Sequence, residues 1–354
     1  ILAQAAGPRR ETLLAWCAPP RRRPLRPMVA SAGSANGELY VPPGERSQLL
    51  SEVETCDAEA ETARQSGDQQ QALVRLEQGL FLRRRLYAES HAEVVSACRR
   101  LCEACNFTAT AMLQQENLKA AHDLLKRAEQ VAEKNDHDRA ITWNNLACYY
   151  RRTGKLRAAV SYLERALAIE EHTSTADGAQ THLNLCATLS QLQRHADALF
   201  HAQSALIRIY EILSPLLISG ELVPASGREG ENADAESTSR PDHTEQVVVI
   251  CIAYHNLAVE HEYLKKFESA ICAYAEGLRW ATEFLDPQHK LIGILNDSVE
   301  AVKAKLPANS PALRRVAELA EGRMATGEST KAMGKDQQMD RFLTTQAGND
   351  GQTS

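Results

Sequence analysis

The chain has 354 residues, 44% apolar and 24% charged, with a formal net charge of -6. That balance suits a protein with a packed core and excludes a general attraction to nucleic acid or an anionic membrane. The longest apolar run, Val247 to Tyr254, is far shorter than the roughly 20 residues that cross a bilayer. Prolines are unevenly placed: seven lie between Pro8 and Pro43, and none between residues 44 and 214, where only five glycines occur. Proline costs about 3 kcal/mol inside a helix and punctuates most strand-rich architectures, so this gap, with only 5% aromatic residues, predicts an all-α fold.

Residues 1–45 form an Arg/Pro-rich leader: residues 1–30 carry six arginines against the single acid Glu11. An Arg-rich, acid-poor start is one mark of a transit peptide, but the prolines and the lack of amphipathic spacing favour a disordered or non-native leader, with Met28 as a candidate start. A helical array is expected over 46–306. Ala60, Ala63, Gly67, Ala72, Leu76 and Gly79 mark a weak first helix pair, and Ala109, Met112, Ala121, Leu125 and Ala128 a second. The third reads most clearly. Trp143, Leu146, Ala147 and Tyr150 fall at i, i+3, i+4, i+7, Gly154 marks a turn, and Ala159, Leu163 and Ala166 make the matching stripe. Small residues at the crossing let two helices approach closely. Leu185, Cys186, Leu189, Ala198, Ala202 and Ala205 repeat the series, as do Tyr254, Leu257, Ala258, His261, Ala270, Tyr274 and Gly277. Between these two pairs, residues 214–246 hold seven acids against two arginines and three prolines, which reads as a flexible acidic insertion. Leu291, Leu295, Val299, Val302 and Leu306 form a capping helix over 289–306 that covers the open end of the array. Residues 307–354 read as a mostly disordered tail with a short helix near Ala312 to Ala320.

The alternation of large and small residues on both helices of each pair resembles the tetratricopeptide repeat. The alanines Ala121, Ala159 and Ala198 are 38 and 39 residues apart, longer than the common 34-residue form. With Asn144-Asn145-Leu146-Ala147 and the loop Leu285-Asp286-Pro287-Gln288-His289, that length is similar to the long-helix repeats of kinesin light chains. The resemblance implies a right-handed superhelix of about five helix pairs plus a C-terminal capping helix. No repeat ends in the family's proline, and His182 stands where the preceding copy has Trp143.

No catalytic constellation accompanies this pattern, so no enzyme activity and no cofactor are expected. Gly154-Lys155 follows Arg151-Arg152-Thr153 rather than a glycine-rich phosphate loop, and His261-Glu262 lacks the second histidine of a zinc-protease helix. Nine cysteines in a chain of this size read as reduced thiols of a cytoplasmic protein. Cys98, Cys102 and Cys105 are the one metal-like cluster, but Val94, Leu101, Ala109 and Met112 continue their stripe, so packing is the better reading and no metal is expected. The runs Arg83-Arg84-Arg85, Arg99-Arg100 and Arg151-Arg152 lack interleaved aromatics and read as solvated faces rather than a nucleic-acid surface. The sequons at Asn106 and Asn296 fall in predicted helices and are set aside.

The candidate binding residues are Asn145, Asn184 and Asn256, each just before the leucine of a first helix. An amide offers one acceptor and two donors and can pair with a peptide main chain. Asparagine ladders that grip peptides are what the kinesin light chain resemblance implies, on the concave side where first helices stack. Arg152 and Tyr263, two turns further along the same face, are candidate side-chain readers. Cys148, Ala187 and Val259 leave the terminal-carboxylate clamp of heat-shock chaperone repeats incomplete. The expected function is a scaffold or adaptor for partner peptides or helices, without nucleic acid or membrane as partners. The alternative is a structural subunit of a large ciliary or cytoskeletal assembly that uses convex or end surfaces.

Overall fold

The structure is a computed structural model, and it describes residues 37–173, 178–224 and 243–320. These residues form twelve helices: α1 (Pro43–Gln65), α2 (Gln69–Leu86), α3 (Ala92–Gln114), α4 (Leu118–Val131), α5 (Asp136–Arg152), α6 (Leu156–Thr173), α7 (Gly178–Gln191), α8 (His195–Ser219), α9 (Thr244–Tyr263), α10 (Phe267–Phe284), α11 (Lys290–Lys303) and α12 (Pro311–Ala320). The first ten pair in sequence, each second helix packs on the next first helix, and α10 lies against both α11 and α12. First helices also touch in series, α3 with α5, α5 with α7, α7 with α9 and α9 with α11. Among the described residues the only extended pairing noted is a lone antiparallel bridge between Glu38 and Tyr87.

The five turns inside the pairs share one construction. Gly67, Glu116, Gly154, Gln193 and Lys265 all have positive φ, between 61° and 81°. In each turn the next residue sends its N–H back to the carbonyl five residues earlier, as from Lys155 to Tyr150 and from Lys266 to His261. This left-handed closure satisfies carbonyls that a helix C-terminus would otherwise leave open. Asp68 and Asn117 then start the following helix by accepting from Gln71 N and Ala120 N, so one residue closes one helix and caps the next.

Close crossing explains the alanine period. Ala121, Ala159, Ala198 and Ala270 are fully buried. At Gly277 a methyl group would be tight, since a Cβ would lie 3.1 Å from Tyr254 Cβ and 3.2 Å from Leu295 Cδ2 and those neighbours would have to give by a few tenths of an ångström. Cys102 and Cys105 pack with Leu101, Val94 and Ala128 in the core of α2–α4. Burial pushes their thiols up to about 11 and about 12, which makes them inert core groups.

Two expected boundaries move. Residues 37–45 belong to the fold: Leu39 N–H donates to Leu86 C=O, Arg46 pairs with Glu38, and α1 starts at Pro43. Proline is suited to a first helical turn, where its missing N–H has no partner to lose. The expected insertion at 214–246 is helical at both ends, because α8 runs through Pro215 to Ser219 and α9 begins at Thr244. Leu213 and Leu222 are buried and Leu216 and Leu217 pack on the core, so apolar burial carries the helix past its proline. In the expected tail, α12 occupies Pro311–Ala320, with Ala312 and Val316 buried. The rest of the leader, insertion and tail lies outside the described residues.

Between α7 and α8, His182 Nδ1 and His201 Nδ1 lie 2.9 Å apart. Burial, together with the neighbouring His201, pushes His182 down to about 4, and burial lowers His201 as well. In the unfolded chain both rings take up protons near pH 6.5. Between pH 6.5 and 4 the unfolded state therefore binds more protons, and stability falls as pH is lowered through that window. Thermal melts at pH 7 and pH 5 are expected to differ by less in a His182→Leu/His201→Leu variant than in the natural protein. An unchanged difference would remove this pair as a source of acid sensitivity.

Candidate functional site

The first helices carry equivalent side chains into contact with one another. Asn145 on α5 donates from Nδ2 to Asn106 Oδ1 on α3 at 3.0 Å. Asn184 on α7 donates in the same way to Asn144 Oδ1 on α5 at 2.8 Å. Each rung joins an asparagine to one placed a residue earlier in the register of the preceding helix. The third expected residue, Asn256 on α9, does not continue the series. Leu183, buried, holds the place on α7 that Asn106 and Asn144 hold on α3 and α5, and its side chain offers Asn256 no acceptor. Asn145, Asn184 and Asn256 are all half-buried.

Hydrogen-bond logic fixes the orientation of the first rung. Thr142 spends its hydroxyl hydrogen on Asp138 C=O at 2.8 Å, so its oxygen can only accept. Asn106 must then turn its NH2 group to Thr142, and it donates there at 2.9 Å and to Cys102 Sγ at 3.4 Å. Its carbonyl oxygen is left for Asn145, which must donate. Asn145 Oδ1 is thereby directed away from the rung. Asn106, Thr142 and Cys102 are all buried, so the chain of donors and acceptors is shielded from water.

The two expected side-chain readers are held differently. Arg152 Nη1 donates to Leu113 C=O at 2.6 Å, which ties the end of α5 to the last turn of α3. Tyr263 is 54% exposed, and its ring stacks on His195 at 4.2 Å and 13°. His195 Nδ1 in turn lies 2.8 Å from Glu260 Oε2, a carboxylate buried at the α7–α9 side of the array. Asn106, Thr142, Asn144 and Phe107 were not anticipated as parts of this face. The 39-residue step from Asn106 to Asn145 to Asn184 was the available sign. Among the described residues, no three or more His, Cys, Asp or Glu side chains converge to hold a metal ion.

The tetratricopeptide repeat family model matches residues 104–172, which span the end of α3 through α6. These are tetratricopeptide repeats. The helix pairs on either side continue the same packing, giving an all-α array of five pairs followed by α11 and α12. Such repeats generally mediate protein–protein interaction and are generally non-catalytic. Similar solved structures include BtubC (BKLC) from P. vanneervenii, 14% identical, covering 79% of this chain and 93% of that one at a TM-score of 0.45. A putative kinesin light chain with nearly identical repeats from Podosopora anserina is 18% identical over 73% of this chain and 96% of its own, at a TM-score of 0.37. The pilF protein of Pseudomonas aeruginosa is 14% identical over 78% and 99%, at 0.36. No curated protein matches the sequence. Among the described residues no helix is long and apolar enough to cross a membrane.

Proposed function

We propose that this chain is a scaffold or adaptor that holds an extended partner peptide along its first helices. Asn145, Asn184 and Asn256 grip the peptide main chain, and Arg152 and Tyr263 contact its side chains. The observation that carries this reading is the recurrence of one cross-helix amide pair, at 3.0 and 2.8 Å, in consecutive repeats. Each pair uses one amide hydrogen of the later asparagine and leaves its carbonyl oxygen for a ligand N–H. Packed helices lie about 8–10 Å apart, which is about three residues of an extended chain. A peptide crossing the helices would thus present a main-chain group to each asparagine in turn, largely regardless of its sequence.

Proteins rather than nucleic acid are the partners in this reading because the arginines of the first two runs already face acids. Arg83 and Arg100 pair with Asp57, Arg84 with Glu89, Arg85 with Glu45, and Arg99 lies 3.8 Å from Asp138. No catalytic role is assigned, and a cytoplasmic setting suits thiols such as Cys186 and Cys251, buried in apolar cores.

The test is binding of peptides selected from a random 12-residue display library. If each asparagine contributes about 1 kcal/mol, the Asn145→Ala/Asn184→Ala/Asn256→Ala variant should bind about 100-fold more weakly. Its helical circular dichroism should stay unchanged. Equal affinity of a folded triple variant would refute the ladder and direct attention to convex or end surfaces.

A further inference from the structure

We propose that Phe107 sets the specificity of this face, selecting extended peptides that carry an apolar side chain at the end lying over α3. The inference rests on the reading of the first helices as a peptide track. It starts from register. Phe107 follows Asn106 as Asn145 follows Asn144, and it precedes Asn145 by 38 residues, the step that also separates Ala109 from Ala147 and Ala121 from Ala159. Where α5, α7 and α9 carry an amide, α3 therefore carries a phenyl ring. That ring is 66% exposed, whereas the three asparagines are half-buried.

The exposure has a structural cause. From α3 onward each first helix touches the next, whereas α1 reaches α3 through the Asp57–Arg100 ion pair, two turns before Phe107. Covering an exposed phenylalanine takes a large apolar surface out of water, so a ligand that covers this ring has a strong anchor. Glu103, Thr110 and Gln114, on the same side of α3, are exposed and surround it with polar groups. An apolar centre within a polar rim is the arrangement of a side-chain recognition point. The nearby carboxylate of Glu103 and the single ring disfavour an anionic lipid surface as the occupant, whereas a main chain lying on Asn145 and Asn184 would run on to Phe107.

Geometry also bounds the ligand. The track from α3 to α9 crosses three helix spacings of about 8–10 Å, roughly 24–30 Å, which an extended peptide spans with about eight or nine residues. Its α3 end meets Phe107 and its α9 end meets Tyr263.

The experiment pans one random 12-residue display library on the natural chain, on Phe107→Asn, on Phe107→Leu and on the triple asparagine variant. The natural chain and Phe107→Leu are expected to select peptides with an apolar residue fixed at one position. Phe107→Asn should still select peptides but lose that preference, and should bind the original peptides about tenfold more weakly. If Phe107→Asn keeps both consensus and affinity while the triple asparagine variant loses binding, the specificity role is wrong and the track stands. If the natural chain selects no peptide, or the triple variant binds as well as the natural chain, the track and the inference fail together.

Discussion

Replacing His195 with leucine is expected to destabilise the protein by about 3 kcal/mol, because it leaves a buried acidic side chain without its hydrogen-bond partner. Glu260 is 1% exposed, and the His195 imidazole lies 2.8 Å from its carboxylate. The leucine variant leaves that carboxylate among Cys186 and the apolar core between α7 and α9 with no donor in place. Changing both residues, as His195→Leu/Glu260→Leu, removes charge and donor together and should recover most of the loss, because two matched apolar groups avoid the desolvation penalty. Urea unfolding followed by circular dichroism reads both quantities. The pair also couples the fourth helix pair to the fifth, and in a repeat array neighbouring interfaces carry the cooperativity. The single variant should therefore show a shallower transition as well as a lower midpoint. A loss below about 1 kcal/mol with an unchanged slope would show that the array does not depend on this contact. The same substitution removes the ring on which Tyr263 stacks, so it should also blunt any preference read at the α9 end of the track.

Helix pairing was legible from the sequence because it depends on local periodicity. Ala121, Ala159, Ala198 and Ala270 mark the crossings directly, since a larger side chain there would force the helices apart. Turns were legible only where glycine stands. Gly67 and Gly154 announce a left-handed residue, but Glu116, Gln193 and Lys265 adopt the same conformation at a cost of about 1–2 kcal/mol, which the returning main-chain bonds offset. Pro215 looked like a stop, yet the apolar residues beyond it keep α8 helical to Ser219. At the candidate site, the register of Asn145, Asn184 and Asn256 could be seen, but their partners could not. A rung joins residues 39 or 40 apart on different helices, and only the tilt between those helices decides that the partner sits one residue earlier. Leu183 interrupts the series for the same reason. Arg152 looks unconstrained along the chain, and only the stacking of α5 on α3 brings it to the Leu113 carbonyl.

The buried relay behind Asn145 gives a prediction in which stability and binding separate. Asn106→Ala removes three hydrogen bonds from a residue that is nearly buried, and it opens a cavity beside Cys102 and Thr142. A loss of about 2–3 kcal/mol is expected from the missing bonds and contacts. Thr142→Val keeps the side-chain shape but withdraws the acceptor that orients Asn106, so it should cost about 1–2 kcal/mol. Asn106→Leu/Thr142→Val removes the polar partners together, and its stability should return to within about 1 kcal/mol of the natural protein. Peptide binding should not return with it. Without Asn106 Oδ1, nothing obliges Asn145 to turn its NH2 group inward, and its carbonyl oxygen is no longer held toward a ligand N–H. The double variant should bind library-selected peptides about tenfold more weakly, a difference of about 1.4 kcal/mol, while melting close to the natural temperature. Natural affinity in that variant would mean that Asn145 needs no orienting partner and that the relay serves packing alone. Weak binding in a stable variant would instead show that the third helix sets the donor and acceptor pattern displayed by the fifth.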